Sequence, residues 1–193
     1  MTIILASASP RRTELLQQIG LEHVVSPSDI DESALEGEPV DEYVQRMAKT
    51  KALVANKAAN PEDVVIAADT TVSVDGNILG KPRDERDCLA MLASLSGRVH
   101  TVHTAVVVSQ NDFSVQALST SEVSFRDITP QEAQNYWLTG EPKDKAGGYA
   151  IQGLGSVFVD RLTGSYSGVV GLPIFELTQL LKQIGISVFK VSQ

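Results

Sequence analysis

The stretch DVVIAADTT at residues 63–71 decides the fold. After the first acid come five apolar residues, rich in β-branched types and too few for a typical helix, so they predict a strand buried on both faces. The run ends at Asp69, which we therefore expect at the carboxyl-terminal tip of the strand. Ligands of open α/β sheets bind outside the carboxyl ends of strands. The sequence thus predicts that Asp69 meets a ligand while its backbone stays anchored in the core.

Helical and alternating spacings of apolar residues divide the rest of the chain into an α/β succession. We predict helices at residues 10–19, 39–60, 84–95, 129–137 and 173–184. We predict further strands at residues 3–6, 21–25, 99–109, 115–126, 157–159 and 186–191, and a hairpin with an Asp-Gly turn at residues 75–76. No long linker or repeat interrupts the succession, so we expect a single domain over residues 1–193.

The composition is that of an ordinary globular protein. Of 193 residues, 42% are hydrophobic and 21% are charged, and the net charge of −8 disfavours binding to nucleic acid or to anionic membranes. No apolar run approaches the roughly 18 residues of a membrane span, and no basic segment followed by an apolar one marks a leader. Cys88 is the single cysteine, which excludes an internal disulfide, and no Cys/His zinc signature is present. We expect a cytoplasmic protein.

Small and basic residues join the first strand to the first helix. Ser9 is a suitable N-cap and Pro10 suits the first helical position. A helix N-terminus presents unpaired backbone N–H groups and a positive dipole end. Arg11 and Arg12 are electrostatically disfavoured in that first turn, and a bound anion would relieve the misfit. The alternative is two solvated surface arginines.

Three other charged residues are candidates for the same site. Glu32 lies in a loop with three carboxylates in four positions, which suits either a metal or catalytic role or a simple solvated loop. Lys51 falls in the middle of the apolar stripe of its helix, so its ammonium either snorkels to solvent or projects into a polar cavity. Lys81 follows the predicted hairpin, and the returning chain would bring it near Asp69.

A glycine-rich segment lies at residues 143–155 and matches neither a P-loop nor a dinucleotide-binding motif. Its glycines indicate either close backbone approach to a ligand or a tight turn packed against the sheet. Cations that hold phosphates, together with carboxylates for a metal ion and a water, are the groups that hydrolysis of a nucleoside triphosphate requires. The residues alone therefore indicate a phosphate-ester hydrolase or a nucleotide binder.

Several motifs, in this order, resemble the Maf family of nucleotide pyrophosphatases over essentially the whole chain. They are LASASPRR (5–12), DE (31–32), KTKA (49–52), ADT (68–70), GKP (80–82), LSG (95–97), DKAG (144–147), QG (152–153) and VGLP (170–173). The resemblance implies an α/β fold with a mixed central sheet, flanking helices and two lobes around a deep cleft, like the inosine-triphosphate pyrophosphatases. It also implies conversion of a nucleoside triphosphate to the monophosphate and pyrophosphate, with Mg²⁺ or Mn²⁺ as cofactor.

The resemblance further implies a role for each candidate residue. The catalytic group is Asp69, Glu32, Lys51 and Lys81, with Glu32 and Asp69 also as metal ligands, and the substrate-binding group is Ser7, Ser9, Arg11, Arg12, Thr70 and Gln152. In the hypothesis that follows, Asp69 takes a proton from the attacking water and the cations neutralise the departing pyrophosphate. Arg12, Thr70 and Gln152 match the branch that hydrolyses dTTP and UTP rather than the branch that hydrolyses 7-methyl-GTP.

Two other functions stay open at this point. The family was first associated with inhibition of septum formation, so a nucleotide-binding regulator of cell division without turnover is one alternative. A pyrophosphatase for a modified or purine nucleotide is the other. The expected partner is a small-molecule nucleoside triphosphate, with no nucleic acid polymer and no membrane, and a homodimer is the commonest self-association for such a chain.

Overall fold

The computed structural model describes residues 1–188. The strands are β1 (Ile3–Leu5), β2 (Val24–Val25), β3 (Val64–Val74), β4 (Asn77–Leu79), β5 (Val99–Gln110), β6 (Phe113–Phe125) and β7 (Val159–Thr163). The helices are α1 (Pro10–Gln18), α2 (Val40–Asn56), α3 (Glu85–Leu95), α4 (Pro130–Leu138), α5 (Tyr166–Val170) and α6 (Ile174–Gln183). Within residues 1–188, seven strands form one sheet in the order β2-β1-β3-β5-β6-β7, with β4 also paired to β3. The predicted mixed central sheet with flanking helices is confirmed.

Strand β3 is the long central strand, and its extent corrects one prediction. Asp69 does not stand at a strand tip, because β3 continues through it to Val74. One edge of β3 pairs with β5 along nearly its whole length. The other edge pairs in parallel with β1 up to Ile66 and in antiparallel with β4 from Val72. Residues 67–71 therefore lie in a gap between β1 and β4, and the mid-strand acid Asp69 lies within that gap.

The two faces of the sheet are covered by different helices. Helix α2 packs its apolar stripe against one face, where Val44 and Ala48 meet Val65 and Ala67 in a cluster of buried residues. The larger core lies on the opposite face and contains side chains from α1, α3, α4 and α6. Val64 to Ala68 are fully buried, so the prediction of a strand covered on both faces is confirmed. The assignment of residues 1–193 to one domain stays a prediction.

Several predicted element boundaries are wrong or incomplete. Helix α2 ends at Asn56 and not at residue 60. Strand β2 is shorter than residues 21–25, and residues 154–158 form a 3₁₀ turn, so β7 starts later than predicted. Helix α5 occupies part of the segment expected to be only turns, because Ser165 caps it by accepting from the Gly168 N–H. The predicted strand at residues 186–191 is absent over 186–188, and its remainder lies outside the described residues. Within residues 1–188 no helix is long and apolar enough to cross a membrane.

Candidate active site

A cavity of about 590 Å³ opens at the gap in the edge of β3. Its volume lies within the range of sites that hold small-molecule ligands. The wall includes every residue that the sequence indicated, namely Ser7, Ser9, Arg11, Arg12, Glu32, Lys51, Asp69, Thr70, Lys81 and Gln152. Neighbouring strand residues point to opposite faces of a sheet, yet Asp69 and Thr70 both reach the cavity because it lies at the open edge of the strand.

Two carboxylates share one ammonium group at the cavity wall. Lys51 Nζ lies 2.7 Å from Asp69 Oδ1 and 2.6 Å from Glu32 Oε1. Lys51 and Asp69 are both 8% exposed, because α2 packs over this face of β3. Of the two alternatives for Lys51, the structure has the ammonium in a polar cavity, not extended to bulk solvent.

Glu32 is held in its ionised form by the surrounding cations. Partial burial raises its pKa, but the hydrogen bond and charge of Lys51, with smaller contributions from Lys81 and Arg12, outweigh burial and leave the pKa below its ordinary value. Tyr43 donates from Oη to the backbone oxygen of Glu32 at 2.8 Å. Burial raises the Tyr43 pKa to about 12, with the nearby Asp69 and Glu32 charges adding to the shift, so this phenol remains a donor at neutral pH.

The Arg12 guanidinium is buried and bound to protein groups on three sides. Nε donates to the backbone oxygen of Gly171 at 2.8 Å, Nη1 to Ser7 Oγ at 2.9 Å, and Nη2 to Thr70 Oγ1 at 3.2 Å. Burial lowers the Arg12 pKa from its ordinary value, whereas the Asp69 charge raises it. The misfit of Arg12 in the first turn of α1 is therefore relieved by protein oxygens, and this arginine has a fixed orientation in the cavity.

Arg11 forms an ion pair with the glycine-rich segment on the cavity wall. Its Nη1 lies 3.4 Å from Asp144 Oδ2, and Lys145 forms an ion pair with the same carboxylate. Burial alone would raise the Asp144 pKa, but its bonds to Lys145 and the charge of Arg11 lower it overall. Asp144 and Lys145 belong to the DKAG motif but were given no role from the sequence, although a charged pair directly before a glycine run is a signal that could have indicated one.

The glycine-rich segment packs against the sheet. Gly147 has a φ of 69°, and a Cβ there would lie 3.0 Å from Val72 Cγ1. Its N–H also donates to the Gly80 backbone oxygen at 3.0 Å, which ties the segment to the chain beside Lys81. Of the two alternatives for these glycines, the structure supports the tight turn against the sheet. The turn leads to Gln152 on the cavity wall.

The carboxylates suit a hard divalent cation. Mg²⁺ and Mn²⁺ prefer oxygen ligands, and Mg²⁺ commonly uses one or two carboxylates with substrate phosphates and waters. Asp69 and Glu32 provide two such carboxylates side by side on the Lys51 ammonium. No group of three or more His, Cys, Asp or Glu residues suited to a metal occurs in the part of the chain described. The donor set thus fits a cation that the substrate helps to bind.

Carboxylates and cations on the wall of one cavity define the class of the protein: an α/β protein whose cavity combines a pair of acids with several cationic side chains. The family of Maf-like proteins matches residues 2–184 of the chain. The chain belongs to the Maf family.

Three relatives carry the description dTTP/UTP pyrophosphatase. The protein of Methylobacillus flagellatus is 51% identical over 187 residues, which are 96% of this chain and 94% of the relative. Those of Saccharophagus degradans and Nitrosomonas europaea are each 48% identical, over 97% of this chain and over 91% and 96% of their own lengths. The similarity therefore extends over nearly the whole of each protein.

Two solved structures were also found to be similar. A nucleoside-triphosphatase described as a dITP/XTP pyrophosphatase from Mycobacterium abscessus aligns with 65% of this chain and 74% of its own, at 18% identity and a TM-score of 0.42. The Ham1 protein of Staphylococcus aureus aligns with 67% of this chain and 73% of its own, at 20% identity and a TM-score of 0.44.

Proposed function

We propose that this protein hydrolyses dTTP and UTP to the nucleoside monophosphate and pyrophosphate. Membership of the Maf family and the descriptions of its relatives support this activity. The single observation that carries the proposal is the pair of carboxylates, Asp69 and Glu32, on the Lys51 ammonium inside a cavity that also contains Lys81 and Arg11. In the proposed reaction, the acids would act on a water molecule and the neighbouring cations would bind the triphosphate.

Asp69 is the proposed general base. Its carboxylate takes a proton from a water molecule as the water oxygen forms a bond to the α-phosphorus. The bond between the α-phosphorus and the α,β-bridging oxygen breaks, and the electron pair leaves with pyrophosphate. Asp69 suits this role because β3 holds its backbone rigidly at the edge of the cavity. A base that is fixed in advance loses little freedom when the substrate binds.

Lys51, Lys81 and Arg11 are the proposed binding groups for the phosphates. Lysine and arginine remain cationic at neutral pH and stabilise the charge that develops on the leaving pyrophosphate. Lys51 has a second role, since its ammonium keeps Asp69 and Glu32 together and offsets part of their repulsion. Ser7 and Ser9 lie on the cavity wall between β1 and α1 and are further proposed substrate-binding groups, and Ser7 Oγ accepts from the Ser9 N–H at 3.2 Å and from Arg12 Nη1 at 2.9 Å.

Glu32 and Asp69 are the proposed ligands of Mg²⁺ or Mn²⁺. When bound, the cation would polarise the phosphate oxygens and acidify a coordinated water. The protein keeps Glu32 ionised, because the neighbouring cations lower its pKa overall. It also keeps the two carboxylates close together, because both form an ion pair with the Lys51 ammonium.

Arg12, Thr70 and Gln152 are the proposed readers of the base. A guanidinium donates, a hydroxyl accepts or donates, and an amide does both, so together they can satisfy the imide edge of uracil or thymine. Arg12 and Thr70 are already bonded to each other, which fixes their relative orientation. The proposed partners are therefore small nucleotides, the proposed location is the cytoplasm, and a homodimer is the proposed assembly.

The test is a nucleotide panel assayed for pyrophosphate. Purified protein is incubated with dTTP, UTP, CTP, ATP and GTP, each with Mg²⁺ or Mn²⁺, and with a chelator as the metal-free control. We expect the fastest release from dTTP and UTP and none with the chelator. Faster release from a purine would replace the pyrimidine assignment. Nucleotide binding without release from any member of the panel would favour a regulator of cell division over an enzyme.

A further inference from the structure

A buried hydroxyl lies directly behind Thr70. Thr104 is the residue opposite Thr70 in the antiparallel pairing of β5 with β3, and it is 1% exposed. Its Oγ1 lies 2.8 Å from the backbone oxygen of Gly168 and 3.1 Å from Thr70 Oγ1. On the cavity side, Arg12 Nη2 lies 3.2 Å from the same Thr70 oxygen. The three side chains and the carbonyl thus form a continuous chain of hydrogen bonds.

The donor-to-acceptor direction of each hydrogen bond in this series follows from what each group can donate. A carbonyl oxygen only accepts, and a hydroxyl has a single proton. The Thr104 proton must therefore point to Gly168, because an unbridged contact of two oxygens at 2.8 Å would be repulsive. Thr104 then has only lone pairs for Thr70, so the Thr70 proton points to Thr104. Arg12 completes the chain as a donor to Thr70, since a guanidinium has no acceptor.

We infer that Thr104 is a positioning residue that makes Thr70 an acceptor toward the substrate. With its proton bound to Thr104, the Thr70 oxygen offers the cavity a lone pair only. Beside it, Arg12 offers N–H donors only, because a guanidinium has no acceptor. Its hydrogen bonds within the described residues use three of its five N–H groups, so two can still donate to a ligand. The cavity therefore presents a fixed acceptor next to a fixed donor.

This inference rests on the proposed function and refines its substrate class. The imide edge of uracil or thymine has an N–H donor next to a carbonyl acceptor, which complements the Thr70 and Arg12 pair. Cytosine has an acceptor at the same ring nitrogen, which would face the Thr70 lone pair. A ligand that leaves polar groups of the site unpaired is rejected more strongly than a ligand that differs only in shape. Thr104 would thus favour UTP over CTP without touching either.

The test compares Thr104→Val, which keeps the shape and removes the hydroxyl, with Thr104→Ser, which keeps the hydroxyl. The readout is the ratio of kcat/KM for UTP to that for CTP. Thr104→Val frees the Thr70 proton to turn toward the cavity, so we expect the ratio to fall about tenfold, as one misdirected hydrogen bond would cause. Thr104→Ser should keep the native ratio. A merely structural role would lower both rates together and leave the ratio unchanged.

A second variant shows whether Thr104 acts through Thr70. Thr70→Val removes the group that Thr104 orients, so in that background Thr104→Val should no longer change the ratio. The same ratio is measured as binding affinity with α,β-imido analogues of UTP and CTP. No pyrophosphate from any nucleotide would refute the proposed function, whereas the binding ratio would still test Thr104. An unchanged ratio in Thr104→Val, or no native preference for UTP, would overturn the inference.

Discussion

The two carboxylates that meet at Lys51 are held in very different ways. Asp69 belongs to β3, whose backbone is paired with β5 on both sides of that residue, and it is 8% exposed. Glu32 belongs to residues 26–39, which contain no helix or strand, and its side chain is 47% exposed. One acid is thus fixed by the backbone of the sheet, whereas the other depends on the side chains that hold its loop.

Those side chains come from one helix. Besides Lys51, α2 supplies Tyr43, which bonds the Glu32 backbone oxygen, and Arg46, which donates to the Ser33 backbone oxygen at 3.0 Å. Arg46 also forms a two-pronged ion pair with Glu38, with both contacts at 2.6 Å. The proposed catalytic pair thus combines one acid that the sheet fixes with a second acid that side chains of α2 hold in place. This difference predicts that substitutions away from the cavity will affect Glu32 and not Asp69.

The largest effect is expected at the rigid acid. Asp69→Asn keeps the shape of the side chain and removes the base, so kcat should fall by about 10³-fold, as for loss of a general base. Pyrophosphate release and far-UV circular dichroism measure activity and fold together. Asp63→Asn is the matched control, since Asp63 is a buried acid at the start of the same stretch that bonds Thr2 and Asn60 outside the cavity. Near-native turnover by Asp69→Asn would remove Asp69 from its role.

The second effect is expected at the acid of the loop. Glu32→Gln should lower kcat by about 10²-fold and weaken Mn²⁺ binding in the absence of nucleotide, because one of the two carboxylate ligands is lost. Electron paramagnetic resonance of Mn²⁺ measures that binding directly. Asp31→Asn changes a neighbouring acid whose Oδ1 accepts the Ser33 N–H, and it should retain both properties. Native Mn²⁺ affinity in Glu32→Gln would exclude Glu32 as a ligand.

A smaller effect is expected where α2 holds the acidic loop. Arg46→Met removes the bonds to Ser33 and Glu38 and should raise the metal concentration for half-maximal rate by about tenfold, as is common for groups that orient ligands. The maximal rate should change much less, because Asp69 is untouched. Arg98→Met is the control, since it breaks an exposed ion pair with Asp75 in the hairpin turn. Equal behaviour of the two variants would contradict the dependence of Glu32 on α2.

The smallest effect is a pH dependence of stability from Glu38. Its hydrogen bonds to Arg46 lower the Glu38 pKa to about 2 from an ordinary value of 4.5. Since the folded-state pKa is depressed, the stabilisation is fully present above pH 4.5 and is lost as the pH falls toward 2. Glu38→Gln should therefore lower the Tm by about 2 °C at every pH from 7 down to about 5, and by progressively less as the pH falls from 4.5 toward 2. A Tm difference that grows on acidification would have the wrong sign.

Local sequence patterns predicted most of the framework and several charged residues that line the cavity, whereas the roles of those residues came from the resemblance to the Maf family and stay predictions. The apolar run at residues 64–68, the apolar stripe of α2 and the Ser9-Pro10 helix start are all signals carried by neighbouring residues. The error at Asp69 arose because an acid in an apolar run resembles a strand end. Only the pairing of β3 with β1 and β4 shows that the strand passes through a gap.

Other parts of the site could not be predicted from local patterns. Thr104 matters because its register on β5 puts it opposite Thr70, and sheet register is a property of the assembled fold. Tyr43 and Arg46 matter because α2 crosses beside a loop that has no periodicity of its own. Their residue types, an aromatic and a cation on a polar helix face, are equally typical of solvated surface.

The position of the attacking water tests the central claim most directly. UTP is hydrolysed in water enriched in ¹⁸O, and the ¹⁸O content of UMP and of pyrophosphate is measured by mass spectrometry. If Asp69 activates a water that attacks the α-phosphorus, the label appears in UMP and the pyrophosphate stays unlabelled. Label in pyrophosphate, with unlabelled UMP, would mean attack at the β-phosphorus and would contradict the account.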